Sequence, residues 1–278
     1  MKVFQTKKSL QAYINKSRAF NKKIGFIPTM GALHAGHTSL IEQAKLFNDL
    51  VICSIFVNPT QFNDPKDLEK YPRTLEADMV LLEKVKCDIL FYPSVNEIYP
   101  DNESWHLDIG ELENMLEGKF RPGHYQGVTQ VVFKLFDIVK PNNAYFGQKD
   151  YQQFLVISKM VELMHLDIKL TMCSIIREGD GLAMSSRNRH LSAYDHEQAL
   201  VLTNTLNWVK LNFNNKTINE LILEAKNRIE ATPNVVFEYF EIVDGITLKP
   251  ANKLTEKIVA LVAAKVGNTR LIDNVLIR

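Results

Sequence analysis

The stretch "LVICSIFVN" at 50–58 constrains the fold more than any other part of the chain. A strand with one wet face alternates apolar and polar residues. An apolar run rich in β-branched residues needs cover on both faces, which points to a parallel sheet flanked by helices. Its neighbours agree. "KIGFIPTMG" reads as a strand ending at a Pro/Gly corner, and from His37 onward Leu40, Ile41, Ala44 and Phe47 recur at helical spacing. "CDILFYP", "AYFG" and "IKLTMCSII" read as further strands. Between them lie helices over "LEADMVLLEKV" and "DYQQFLVISKMVEL". Val128, Val131, Val132, Leu135, Phe136 and Val139 mark one more helix, closed by Pro141.

This alternation stops near residue 175. Two helices follow, from about Ser192 and Thr217, and then "VVFEYFEIVDG", "IVALVAAKV" and "TRLIDNVLI" read as strands of a small α+β unit. The expected architecture is therefore α/β, with a parallel-sheet domain over residues 1–175 and a smaller α+β domain over 176–278. At roughly 150 residues per domain, 278 residues accommodate both.

Charge excludes some partners. Lys and Arg number 33 against 32 Asp and Glu, a net charge of +1, so no global field draws in nucleic acid or an anionic membrane. The longest apolar run, "IVALVAA", falls far short of the ~20 residues that span a bilayer. The N-terminus carries no continuous apolar segment of the secretory kind, and a cytoplasmic location is expected. Cys53, Cys87 and Cys173 each sit in an apolar stretch, which fits reduced core thiols.

Four polar corners carry the chemistry. "PTMGALHAGHTSL" places His34 and His37 where a strand turns into a helix, beside Gly31 and Gly36. A helix N-terminus has unpaired N–H groups and partial positive charge, and glycine lets a phosphate approach closely. The two imidazoles either donate to such a phosphate or merely cap the helix. "FVNPTQFN" runs a buried strand into Asn58 and Gln61, and a neutral amide that both donates and accepts suits a polyol or hydroxy-acid. "FGQKDYQQ" joins a short strand through Gly147 to a helix, with Asp150 as a candidate N-cap, Lys149 as a point charge and Gln153 one turn inside. In "AMSSRN", Ser185, Ser186 and Arg187 are donors of the kind that hold a departing pyrophosphate, within a polar loop.

Taken together, the first corner resembles the HIGH-type signature of adenylate-forming enzymes with a Rossmann-like domain, and "MSSRN" resembles their KMSKS-type loop. With "RPGHYQGVTQVVFKLF", "YFEIVDG" and "VGNTRLID" in order, essentially the whole chain resembles the pantothenate synthetases, the pantoate-beta-alanine ligase family. The resemblance implies attack of the pantoate carboxylate on the α-phosphorus of ATP, giving pantoyl adenylate and pyrophosphate. The amine of beta-alanine then displaces AMP.

By the same resemblance Met30, Gly31, Ala32, Leu33, His34, Ala35, Gly36 and His37 line the ATP site, with His34 and His37 on the phosphates. Gly147, Gln148, Lys149 and Asp150 contact ATP, Ile176 touches the nucleotide through its backbone, and Met184, Ser185, Ser186 and Arg187 close over the triphosphate. Gln61 and Gln153 hold pantoate. The catalytic set it implies is His37, His34, Lys149 and Arg187, and the C-terminal domain acts as a lid. Mg²⁺ bridges phosphate oxygens and needs few protein ligands, with Asp78 the candidate. Ala77 stands where a second acidic residue is expected beside it. His124 either touches substrate or stabilises its loop. A homodimer is the family's implied state. The rival reading is another HxGH nucleotidyltransferase that adenylylates a phosphorylated small molecule. The neutral Gln61 and Gln153 favour the ligase.

Overall fold

The computed structural model describes residues 1–101, 103–252 and 254–278. In chain order the elements begin β1 (Lys2–Phe4), α1 (Lys7–Arg18), β2 (Ile24–Thr29), α2 (Ala35–Lys45), β3 (Leu50–Ile55), α3 (Pro65–Lys70), α4 (Leu75–Lys84) and β4 (Ile89–Phe91). They continue with α5 (Val95–Ile98), α6 (Glu117–Phe120), α7 (His124–Val139), β5 (Asn143–Gly147), α8 (Tyr151–Leu163) and β6 (Lys169–Cys173). Last come α9 (Ala193–Asn212), α10 (Ile218–Glu230), β7 (Val235–Asp244), β8 (Ile258–Val266) and β9 (Thr269–Leu276). Residues 1–147 and 152–174 form one compact unit, and 148–151 with 175–278 form another.

In the first unit six parallel strands lie in the order β1-β4-β3-β2-β5-β6. The run at 50–55 behaves as its composition demands, with every residue of β3 buried. Leu50 and Ile52 join Ile24, Phe26, Ile89 and Phe91 in a core covered by α1, α7 and α8. Val51, Cys53 and Ile55 point the other way, with Ile27 and Leu90, into a core closed by Leu40, Ile41 and Ala44 of α2 and Leu82 of α4. Period-two alternation thus sends neighbouring apolar residues into two separate cores. From β2 the chain first adds strands on one side, then crosses to place β5 on the other. This is a Rossmann-like order, and the reversal between β2 and β5 is where such sheets bind ligands.

The second unit is a three-stranded antiparallel sheet, β7-β8-β9, with a bulge between Phe237 and Tyr239. Ile258, Ala260, Val262, Ala264 and Val266 of β8 pack with Leu202, Leu206 and Val209 of α9 and Leu221, Ala225 and Ile229 of α10. Ser192 and Thr217 cap those helices, accepting from the backbone N–H groups of Asp195 and Glu220. Among the described residues no helix is long and apolar enough to cross a membrane.

Candidate active site

The corner after β2 is built by a left-handed turn. Gly31 has φ +85° and Ala32 φ +51°, a region alanine enters only under constraint. The constraint is Asp78, 46 residues on in α4. Its buried carboxylate accepts from the N–H of Ala32 at 2.9 Å and of Leu33 at 2.7 Å, and from Thr74 Oγ1 at 3.2 Å. A Cβ on Gly31 would sit 2.9 Å from Ile55 Cγ2 and 3.1 Å from Asp78 Oδ2, so the position has room only for glycine.

His34 is then the N-cap of α2. Its Nδ1 accepts from Gly36 N–H at 3.1 Å, while Nδ1 of His37 accepts from His34 N–H at 3.3 Å. A nitrogen that accepts carries no proton, so both neutral rings hold theirs on Nε2. The capping anticipated for these residues is thus made by Nδ1 of each ring, and in the neutral ring it leaves the proton on Nε2. The ring centroids lie 4.1 Å apart. The partial positive charge of a helix N-terminus favours an anionic oxygen nearby.

Gln61 ends the short turn Pro59–Gln61 after β3, which Asn58 caps. Asn58 and Gln61 are both buried. The Gln61 amide nitrogen reaches Met30 Sδ at 3.1 Å, so the turn after β3 meets the corner after β2. His124, at the start of α7, contacts this turn through Nδ1, 2.8 Å from the Gln61 carbonyl oxygen. Gln153 lies half-buried on α8.

Gly147, half-buried, ends β5. The other expected residues form a second set, in the second unit. Gln148 donates through Nε2 to Asn274 Oδ1 at 3.0 Å, and Asn274 Nδ2 donates to the carbonyls of Gln148 and Lys149, each at 2.9 Å. Asp150 is exposed and directly precedes α8. Tyr151 fixes the same turn, its hydroxyl donating to Gly245 O at 2.8 Å. Burial, then the charge of Asp244, pushes that phenol up to about 12, so it remains a donor.

The segment read as a polar loop is a short hairpin: Met184 N–H donates to Ile176 O at 3.0 Å, and Arg177 pairs with Ala183. Arg177 grips the buried carboxylate of Asp273 with bonds of 2.7 and 3.1 Å. Ser185 caps the turn Ser186–His190, accepting from Arg187 N–H at 3.2 Å. The structure thus gathers Met30–His37, Gln61 and Asp78 in one unit and Gln148–Asp150, Ile176 and Met184–Arg187 in the other.

Two groupings bear on a metal. Asp78 has both oxygens engaged by backbone N–H groups, a geometry that anchors the corner and leaves at most one lone pair, on Oδ2, for Mg²⁺. Glu178, Asp180 and His196 bring ligand atoms within 4.8 Å of one another. His196 Nε2 lies 2.7 Å from Asp180 Oδ2, and Mg²⁺ selects oxygens rather than imidazole.

The family model described as pantoate-beta-alanine ligase matches residues 2–276. The chain belongs to the pantoate-beta-alanine ligase family. Relatives of that family named pantothenate synthetase include one from Bacteroides fragilis, 47% identical over 277 residues, which are 99% of this chain and 98% of the relative. Another, from Thermotoga petrophila, is 47% identical over 279 residues and is covered completely, as is this chain. The crystal structure of pantothenate synthetase from Thermus thermophilus superposes with a TM-score of 0.94 at 38% identity, covering 100% of this chain and 99% of that one. The pantoate-beta-alanine ligase of Francisella tularensis, described as complexed with beta-gamma ATP and beta-alanine, gives a TM-score of 0.84 at 39% identity, covering 100% and 98%.

Sequence reasoning singled out the histidines, Gln61 and Lys149 by their place at strand ends. It missed the anchoring role of Asp78 and the brace supplied by Asn274. Both are side chain to backbone bonds across long sequence distances, and no local pattern signals them.

Proposed function

We infer that the protein ligates pantoate to beta-alanine, using ATP as substrate and forming pantothenate through a pantoyl-adenylate intermediate, with release of pyrophosphate and AMP. The observation that carries this reading is the family match over residues 2–276, which spans all four polar corners. The geometry of the corner after β2 supports it. The pantoate carboxylate is itself the nucleophile, so the protein needs no Ser-His-Asp triad and no reactive thiol. Burial raises the thiols of Cys53, Cys87 and Cys173, which keeps them protonated.

The work left to the protein is positioning and stabilisation of charge on phosphoryl oxygens. His34 and His37 donate from Nε2 to the phosphates, and the residues 30–37 wrap the nucleotide. Gln61 and Gln153 hold pantoate. Gly147, Gln148, Lys149 and Asp150 contact ATP, with Lys149 on its phosphates. Ile176 offers its backbone to the nucleotide. Met184, Ser185, Ser186 and Arg187 engage the triphosphate, and residues 176–278 serve as a lid. Mg²⁺ is assigned to the phosphates of ATP and to water rather than to a protein carboxylate. The working form is a homodimer in the cytoplasm, as the family resemblance implies.

The test mixes protein, ATP, Mg²⁺ and pantoate, with and without beta-alanine, and follows pyrophosphate, AMP and product mass. Pantothenate and stoichiometric AMP are expected only with both acids present. Adenylylation of a phosphorylated acceptor, with no demand for an amine, would overturn the reading.

A further inference from the structure

We propose that Tyr99 and His124 are positioning residues for Gln61: Tyr99, through Asn58, fixes which end of the side-chain amide faces the acid substrate, and His124 fixes the main chain that carries it. The inference rests on the assignment of Gln61 to pantoate.

Two backbone groups settle how Asn58 lies. Thr60 N–H can only donate, so the Asn58 atom 3.4 Å from it is oxygen. The Gly127 carbonyl can only accept, so the Asn58 atom 3.1 Å from it is nitrogen. That nitrogen has a second hydrogen, which meets the Gln61 amide at 3.2 Å, and the atom it meets must be Oε1. The Gln61 amide nitrogen therefore turns the other way, towards the corner after β2. There it contacts the thioether of Met30, a weak acceptor that a carboxylate or hydroxyl oxygen readily replaces. One flipped amide would present an acceptor to an anionic acid instead of two donors.

Tyr99 secures the first link. Its hydroxyl donates to Asn58 Oδ1 at 2.8 Å, the shortest of the three bonds that oxygen accepts. Desolvation raises the Tyr99 pKa, so the hydroxyl stays a donor.

His124 secures the other side of Gln61. Arg121 Nη1 only donates, so His124 Nε2, 3.1 Å away, accepts. The proton must then sit on Nδ1, from which it is donated to the Gln61 carbonyl at 2.8 Å. Gly127 lets α7 press directly on this turn, since a Cβ there would lie 2.4 Å from Thr60 O and 2.7 Å from Gln61 Cα. Gln61 is thereby held by its main chain and by its side chain, through residues that need not touch substrate.

The test compares kcat and the KM values for pantoate and ATP in wild type, Tyr99→Phe, His124→Ala, His124→Asn and Gln61→Ala, each checked for cooperative thermal unfolding. Tyr99→Phe should raise the pantoate KM roughly three- to tenfold and leave the ATP KM within about twofold. His124→Ala should do the same. His124→Asn, whose amide N–H stands in for Nδ1–H, should recover most of the loss. If Tyr99→Phe leaves the pantoate KM unchanged while Gln61→Ala raises it, the positioning role is refuted and the pantoate assignment survives. If Gln61→Ala leaves the pantoate KM unchanged, the assignment fails and the inference falls with it. Equal rises in both KM values for Tyr99→Phe would mean general loosening and would also refute it.

Discussion

Replacing Asp78 separates a structural anchor from a metal ligand. Its carboxylate holds the N–H groups of Ala32 and Leu33 at 2.9 and 2.7 Å. Both of those residues are buried, at 0% and 4% exposure, so water cannot take over the freed donors. Each stranded N–H costs about 1–3 kcal/mol, and the left-handed Ala32 loses what keeps it there. Asp78→Ala should therefore cost about 3–5 kcal/mol, which lowers the Tm of a unit of this size by ~10 °C. Asp78→Asn should fall between, because one amide N–H would confront a backbone N–H. The assay is thermal unfolding with and without excess Mg²⁺, alongside the Mg²⁺ concentration that half-saturates turnover. The expected result is a large Tm loss that Mg²⁺ does not restore. An unchanged Tm together with a many-fold higher Mg²⁺ requirement would refute the anchor and reinstate the metal.

His37→Ala should lower kcat at least tenfold while costing only about 1 kcal/mol of stability from the lost cap; wild-type turnover would remove the ring from the reaction. Arg177→Met leaves the buried Asp273 carboxylate without its bidentate partner and should destabilise by about 3–5 kcal/mol, measured by denaturant unfolding, with an unchanged midpoint counting against the pair. Burial lifts the Cys87 thiol to about 11 from 9.0, so its contribution of about 2–3 kcal/mol is fully present below pH 9 and is lost as the pH rises towards 11. Cys53 acts in the same direction. Tm measured from pH 8 to 11 should fall, and Cys87→Ala should flatten that slope.

The sequence is most legible where burial imposes a period. Strand β3 is apolar on both faces because two cores receive it, and the spacing of Val128 through Val139 marks α7 because that whole face is covered. The elements β1 and α1 escape such reading. β1 has three residues, and α1 buries only Leu10 and Ile14, too few to stand out from a polar helix. At the site, the residue types at strand ends are visible, since a polar side chain straight after a buried strand is conspicuous. Their orientation is not. The proton positions on His34 and His37 follow from backbone contacts made only once α2 has formed. The link from Tyr99 to Asn58 joins residues 41 apart, with no local pattern to announce it.

The mutual capping of His34 and His37 also explains why their spacing cannot drift. An extra residue between them would swing the second ring by about 100° around the axis of α2, taking its Nδ1 away from the first residue's amide. Both the start of the helix and the aim of its donors would be lost at once. The three-residue interval thus works as a ruler, and the protein cannot lengthen it without dismantling the end of the helix it measures.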